Sequence, residues 1–187
     1  MRGLRVLGGA ALAGWAYHLV VRGDLTLDTG IGRSLIDLGP LVVSMDAPRE
    51  VVFDVIEAPY LERTPRALST ELEVLEHGTD LVLAAHHTPV GRGNAVATTV
   101  ETVRFTRPST VDFRLVRGPV PHVVERFALS DDNGTTRLEY TGELGADFWA
   151  VGRWWGKVVA QKWVETVDAS LTRIREEAER RARTRRS

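Results

Sequence analysis

From residue 68 onward, apolar and polar side chains alternate with a period of two for about 75 residues, the pattern of half-buried strands. Candidate strands span 68–77, 80–88, 94–106, 109–117, 122–130 and 135–144. Between them lie turn-forming groups: His77-Gly78-Thr79, Pro89 to Gly93, Arg107-Pro108-Ser109, Gly118-Pro119 and Asp132-Asn133-Gly134. Asn133-Gly134 is the sharpest of these signals, because both residue types accept the positive φ of a two-residue hairpin. Strands joined so tightly must run antiparallel. Val111, Phe113 and Leu115 share one face and Asp112 and Arg114 the other; Leu138, Tyr140 and Leu144 likewise oppose Arg137, Glu139 and Glu143. One wet face and one apolar face predict a sheet that lies against another element.

Before and after this block the period is 3.6. Leu41 to Met45 predicts a first strand after Gly39-Pro40. Pro48 and Glu50 then open a helix whose apolar face is Val51, Val52, Val55 and Ile56, ended by Pro59. A second short turn or helix is expected over Tyr60–Arg66, broken by Pro65. From Ala146 to about Arg181, Trp155, Val159, Trp163, Val167, Leu171, Ile174 and Ala178 recur down one side. Roughly 35 residues at ~1.5 Å each make a helix on the order of 50 Å, long enough to cross the sheet. The order strand, two short helices, six strands, long helix predicts an α+β helix-grip fold: a seven-stranded antiparallel sheet curved around the C-terminal helix.

The chain divides accordingly. Residues 38–182 form the expected domain, 183–187 a basic tail, 23–37 a glycine-bearing linker, and 1–22 an apolar N-terminal segment. Val6–Val21 is uncharged behind Arg2 and Arg5, yet at about 24 Å it is shorter than the ~30 Å hydrocarbon core. Trp15, Tyr17 and Arg22 at its far end suit a membrane anchor. A helix docked on the protein surface and a cleaved signal peptide are the other readings, and a cytoplasmic location is the alternative to membrane association.

Composition narrows the chemistry. A net charge of -1 and the lack of a basic stripe argue against a nucleic-acid partner. The absence of cysteine removes thiolate nucleophiles, disulfides and cysteine-bound metals. The histidines are scattered without metal-ligand spacing, and no phosphate loop, serine elbow or zinc-protease motif occurs, so neither a metal nor a cofactor is expected.

Ala47-Pro48-Arg49-Glu50-Val51-Val52-Phe53-Asp54-Val55-Ile56, directly after the first strand, resembles the opening of the START-like (SRPBCC) superfamily. The arm Gly134-Thr135-Thr136-Arg137-Leu138-Glu139-Tyr140 before a terminal helix is similar to its polyketide cyclase/dehydrase and lipid-transport branch. The resemblance covers about residues 38–180. It implies the helix-grip fold and an internal cavity, without shared catalytic residues, and members range from lipid carriers to aromatic cyclases.

An apolar cavity with a few polar groups is a small-molecule site. With Phe127 and Leu129 inward, Glu125 is inward too; a buried carboxylate needs a partner or a raised pKa. It reads either as a ligand-bonding or acid/base group, or as a rim residue paired with Arg104. His86 and His87 are adjacent in a strand and face opposite ways. His87, in phase with Leu81, Leu83 and Ala85, is the candidate for the cavity, or else a hydrogen-bonded structural histidine. Tyr140 would meet a ligand oxygen or a backbone carbonyl. The expected lining is His87, Phe113, Leu115, Glu125, Phe127, Tyr140, Trp155 and Val159, with Glu125, His87 and Tyr140 the acid/base candidates.

Three functions fit this pattern. The first is a carrier that binds a lipid, quinone or polyketide-like molecule near a membrane. The second is a cyclase or dehydratase acting on a poly-keto or aromatic substrate. The third is a membrane-tethered interaction module.

Overall fold

A computed structural model shows seven strands in one sheet, all paired antiparallel, in the order β1-β7-β6-β5-β4-β3-β2. It describes residues 14–61, 71–89 and 96–186. The helical stretch 14–22 is α1 in its described part. Then come β1 (Ser34–Met45), α2 (Arg49–Glu57), a 3-10 turn (Ala58–Tyr60), β2 (Leu72–His77) and β3 (Val82–Pro89). β4 (Val96–Thr106), β5 (Thr110–Arg117), β6 (His122–Asp132), β7 (Thr135–Ala146) and α3 (Trp149–Arg186) complete the chain.

The β6–β7 hairpin closes on Asn133 and Gly134, whose φ values of 53° and 88° supply the left-handed pair that its two-residue turn demands. Inward residues of the strands, Leu138, Tyr140, Leu144, Val111, Val123 and Leu129 among them, are buried with Phe53 and Val52 of α2 and Leu171 and Ala178 of α3. α3 runs 38 residues, from Trp149 to Arg186, starting and ending later than the expected Ala146 to about Arg181. It comes close to β1, β7 and α2 rather than to the middle strands. Gly156 permits that approach, since a Cβ there would sit 3.1 Å from both Ala146 and Ile36. The sheet therefore meets the helix along one edge and stands away from it over β3–β5.

Two expectations change, for the linker and the basic tail. The linker 23–37 is not free: Ser34 to Asp37 begin β1, which continues past Gly39-Pro40 through a register shift between Leu38 and Leu41. Pro40 is tolerated because β1 is an edge strand and a bulge spares the missing N–H. Of the second helix, only a 3-10 turn ending at Tyr60 is seen; the rest of Tyr60–Arg66 after Leu61 lies outside the described residues, as do the loop from Val90, the beginnings of the expected strands at 68 and 94, and residues 6–13. The basic tail is no separate segment, because α3 continues to Arg186 and Arg185 reaches Asp54 at 3.5 Å.

The N-terminal segment is described from residue 14. Among the described residues no helix is long and apolar enough to cross a membrane. Instead α1 packs on the domain, with Tyr17 edge-on to Trp155 at 6.0 Å. The stretch of chain after it is held by Asp147. That carboxylate accepts from the Thr29 and Gly30 amides at 2.8 Å, from the Thr29 hydroxyl and from Arg33 Nε at 2.7 Å. Thr26 and Gly118 exchange two further hydrogen bonds. These contacts fit the docked-helix reading for residues 14–22, while residues 6–13 of the expected anchor lie outside the described residues.

Candidate functional site

The inner face of the sheet carries four acid/base side chains at its centre. Glu125 leaves β6 between Phe113 of β5 and Gly142 of β7. Its Oε1 accepts from Tyr140 Oη at 2.7 Å and from Trp163 Nε1 of α3 at 2.8 Å. Gly142 makes the room: a Cβ there would meet the Val124 carbonyl at 3.0 Å and Glu125 Cγ at 3.1 Å. Glu101 of β4 lies opposite Leu115 of β5 and Ala84 of β3, on the same face. His86 Nε2 is 3.6 Å from Glu101 Oε2 and 3.4 Å from Tyr60 Oη.

Burial sets the electrostatics. Desolvation raises the pKa of Glu101 and of Glu125 to about 7, and the charge of Glu101 holds Glu125 up further. Tyr140 and Trp163 pull Glu125 back by bonding its ionised form. Desolvation lowers His86 to about 4, so its imidazole is neutral at pH 7. The two tyrosines, Tyr60 and Tyr140, are shifted upward by burial and remain phenols. Glu125, His86, Thr99, Leu115 and Trp163 keep partial exposure although core residues surround them.

The sequence-derived candidates divide into three groups. Glu125 and Tyr140 are brought together, each the other's partner, while Arg104 pairs with Asp80 at 3.1 Å instead. Phe113, Phe127 and Tyr140 form an edge-to-face aromatic stack, at 5.3 and 5.7 Å, beneath the site, and Leu115 borders it. Val159 is buried on α3, and Trp155 is spent at the far end, its Nε1 bonded to the Pro119 carbonyl at 2.8 Å. His87 is a correction: it faces the other side of the sheet, with Nδ1 3.1 Å from Thr98 Oγ1 and Nε2 3.8 Å from Glu73. His86 takes the inner position.

Sequence reasoning missed His86 and Glu101 for different reasons. In β3 both phases are apolar, Leu81-Leu83-Ala85 and Val82-Ala84, so alternation could not choose a histidine. In β4 the signal existed, since Glu101 is in phase with Val103 and Phe105. A register shift between Val100 and Glu101 also buries Val100, which blurs the pattern. Among the described residues no three His, Asp or Glu side chains converge as a metal site.

The buried pair has a measurable consequence. An unfolded glutamate loses its proton near 4.5 and these lose theirs near 7, so the native state holds more protons between those values. Stability from protonated Glu101 is full below about pH 4.5 and is lost as pH rises through about 7. Melting curves of Glu101→Gln and the parent should therefore diverge over that window, the variant gaining relative stability with rising pH. Parallel curves would mean that Glu101 is not buried as an acid.

A curved antiparallel sheet gripping a long C-terminal helix defines the START-like helix-grip class. Residues 41–179 match the family described as polyketide cyclase / dehydrase and lipid transport, and the chain belongs to that family. A search of curated proteins finds no match. Among solved structures the fold resembles the Zhui aromatase/cyclase of Streptomyces sp. R1128, at 18% identity and TM-score 0.61, covering 80% of this chain and 95% of that one. TTHA0849 of Thermus thermophilus aligns at 14% and 0.58, covering 78% and 97%. The di-domain aromatase/cyclase StfQ of the steffimycin pathway aligns at 13% and 0.58, covering 79% of this chain and 52% of StfQ. At such identities the likeness is one of fold.

Proposed function

We propose that the space between β3–β6 and α3 takes an apolar, oxygen-bearing molecule of poly-keto or aromatic type, and that Glu125, Glu101 and His86 move protons on it. The observation that carries this reading is a buried Glu101 and a half-buried Glu125, both held near neutral pH by desolvation, on one face with the neutral imidazole of His86. A group with pKa near the working pH is the most effective proton donor or acceptor. In a dehydration of a β-hydroxy carbonyl substrate, one carboxylate removes a C–H proton next to the carbonyl. The protonated partner gives its proton to the departing hydroxyl, which leaves as water while the C=C bond forms. No electron acceptor is required. Glu125 suits the base, because Tyr140 and Trp163 hold Oε1 and fix the direction of the other oxygen. Glu101 and Glu125 stand two strands apart, on the order of 10 Å along the sheet, a spacing that lets them address different atoms of one ligand. The structural resemblance to aromatase/cyclases supports the same reading.

The test is deuterium uptake at the carbon between the carbonyls of an aryl 1,3-diketone in D2O, followed by NMR. Saturable, catalytic exchange is expected. Because the charge on one carboxylate disfavours ionisation of the other, the rate should pass through a maximum near pH 7, where one is protonated and the other ionised. Tight binding of the diketone without exchange above background would establish a carrier instead.

A further inference from the structure

The surface over the start of α3 is unlike the rest of the protein. Trp149, Val151, Trp154 and Val158 on its first turns are exposed, Val151 at 70% and Trp154 at 63%. Trp15 and Tyr17 of α1 are 62% and 60% exposed, and Tyr17 meets Trp155 of α3 edge-on. The two elements do not seal against each other: an apolar cleft of about 120 Å³, walled by Val20, Leu27 and Phe148, remains between them. Tryptophan and tyrosine at this density are unusual for a surface that faces only water.

Charge is equally lopsided. From Phe148 to Val164 the chain carries Arg153, Lys157 and Lys162 and no carboxylate. The same holds from Met1 to Gly23, where Arg2, Arg5 and Arg22 precede the first acid, Asp24. Asp147, at the edge of the patch, is buried in its clasp with Arg33. Beyond Glu165 the helix returns to mixed charge. In the sequence, residue 14 is preceded by an uncharged apolar stretch, Val6–Ala13.

We infer that this face is an interfacial docking surface for an anionic lipid bilayer, lying on the membrane rather than crossing it. Trp149, Trp154 and Tyr17 insert at the headgroup level, Val151 and Val158 reach the acyl boundary, and Arg153 and Lys157 pair with lipid phosphates. This goes beyond the proposed chemistry and does not depend on it. It places the end of the grip closed by Trp155 and Pro119 against the bilayer, so that an apolar ligand could pass between lipid and protein.

Flotation of the full chain with vesicles tests it, using phosphatidylcholine alone or mixed with phosphatidylglycerol. The protein should float with the mixed vesicles, with a blue shift of tryptophan emission, and at least about tenfold more weakly with phosphatidylcholine alone. Val151→Ser/Trp154→Ser, at exposed positions, should lower partitioning by about tenfold. Arg153→Glu/Lys157→Glu should remove the preference for phosphatidylglycerol. The inference is overturned if the full chain stays in the aqueous phase, or if both double variants float like the parent. It is also overturned if the patch proves to mediate a concentration-dependent dimer that Trp154→Ser dissolves, with no vesicle binding.

Discussion

Glu125→Gln should lower diketone proton exchange by roughly 10²- to 10⁴-fold while leaving the fold intact, the range a single positioned acid/base group contributes. The two effects separate for a physical reason. A glutamine carbonyl at this position still accepts from Tyr140 Oη and Trp163 Nε1, so the contacts that tie β6 to β7 and to α3 survive. What disappears is the titrating proton. Above pH 7 the parent must keep a carboxylate in a desolvated site, a cost the amide avoids. The variant should therefore melt at or above the parent's temperature at pH 8 and yet be nearly inactive. Full exchange in Glu125→Gln would remove Glu125 from the chemistry. A collapse of the melting temperature would show that it is a structural group instead. Glu101→Gln should share the loss of activity, because it removes the second proton site.

Arg33→Met should cost about 3 kcal/mol, measured by denaturant unfolding, as breaking one side of a buried ion pair does. Asp147 is 3% exposed, and Arg33 supplies the only charge among the donors described on it, Nε to Oδ1 at 2.7 Å and Nη2 to Oδ2 at 3.2 Å. Without it the Thr29 and Gly30 amides remain, which keeps the loss at the low end of that class. For a chain of this size the corresponding drop in melting temperature is about 6–12 °C. The same clasp works against acid. Arg33 and the amides hold the Asp147 carboxyl well below the usual carboxylate range. Its contribution is present above the unfolded value of 3.8 and is lost as pH falls below it, the reverse of the Glu101 case. Asp147→Asn should thus flatten the acid limb of the stability profile. An unchanged unfolding free energy in Arg33→Met would mean that residues 24–33 do not belong to the cooperative unit.

Much of the site was legible from alternation alone. Glu125 and Tyr140 share the inner face with Phe127, Phe113 and Leu138 because a strand's period of two assigns each a side once one neighbour is placed. Their mutual hydrogen bond was not legible, since strand phase says which face a hydroxyl occupies and not which atom it meets. His86 was hidden by a strand apolar in both phases, and Glu101 by a bulge that shifts register in mid-strand. Asp147 was invisible for a different reason: its partners lie 114 to 118 residues earlier in the chain.

The helix-grip fold itself follows from local information. Turn chemistry, the change of period at residue 68 and a 38-residue amphipathic helix leave few other ways to bury one face of seven antiparallel strands. What needed three dimensions is every feature that joins distant segments: the clasp that converts an apparent linker into part of the domain, the docking of α1 on Trp155, and the convergence of Tyr60, His86, Glu101 and Glu125. Local pattern fixes which side of an element is apolar. Which polar groups meet inside, and how far burial moves their proton affinities, depends on how closely α3 approaches each strand, a property that belongs to the assembled structure alone.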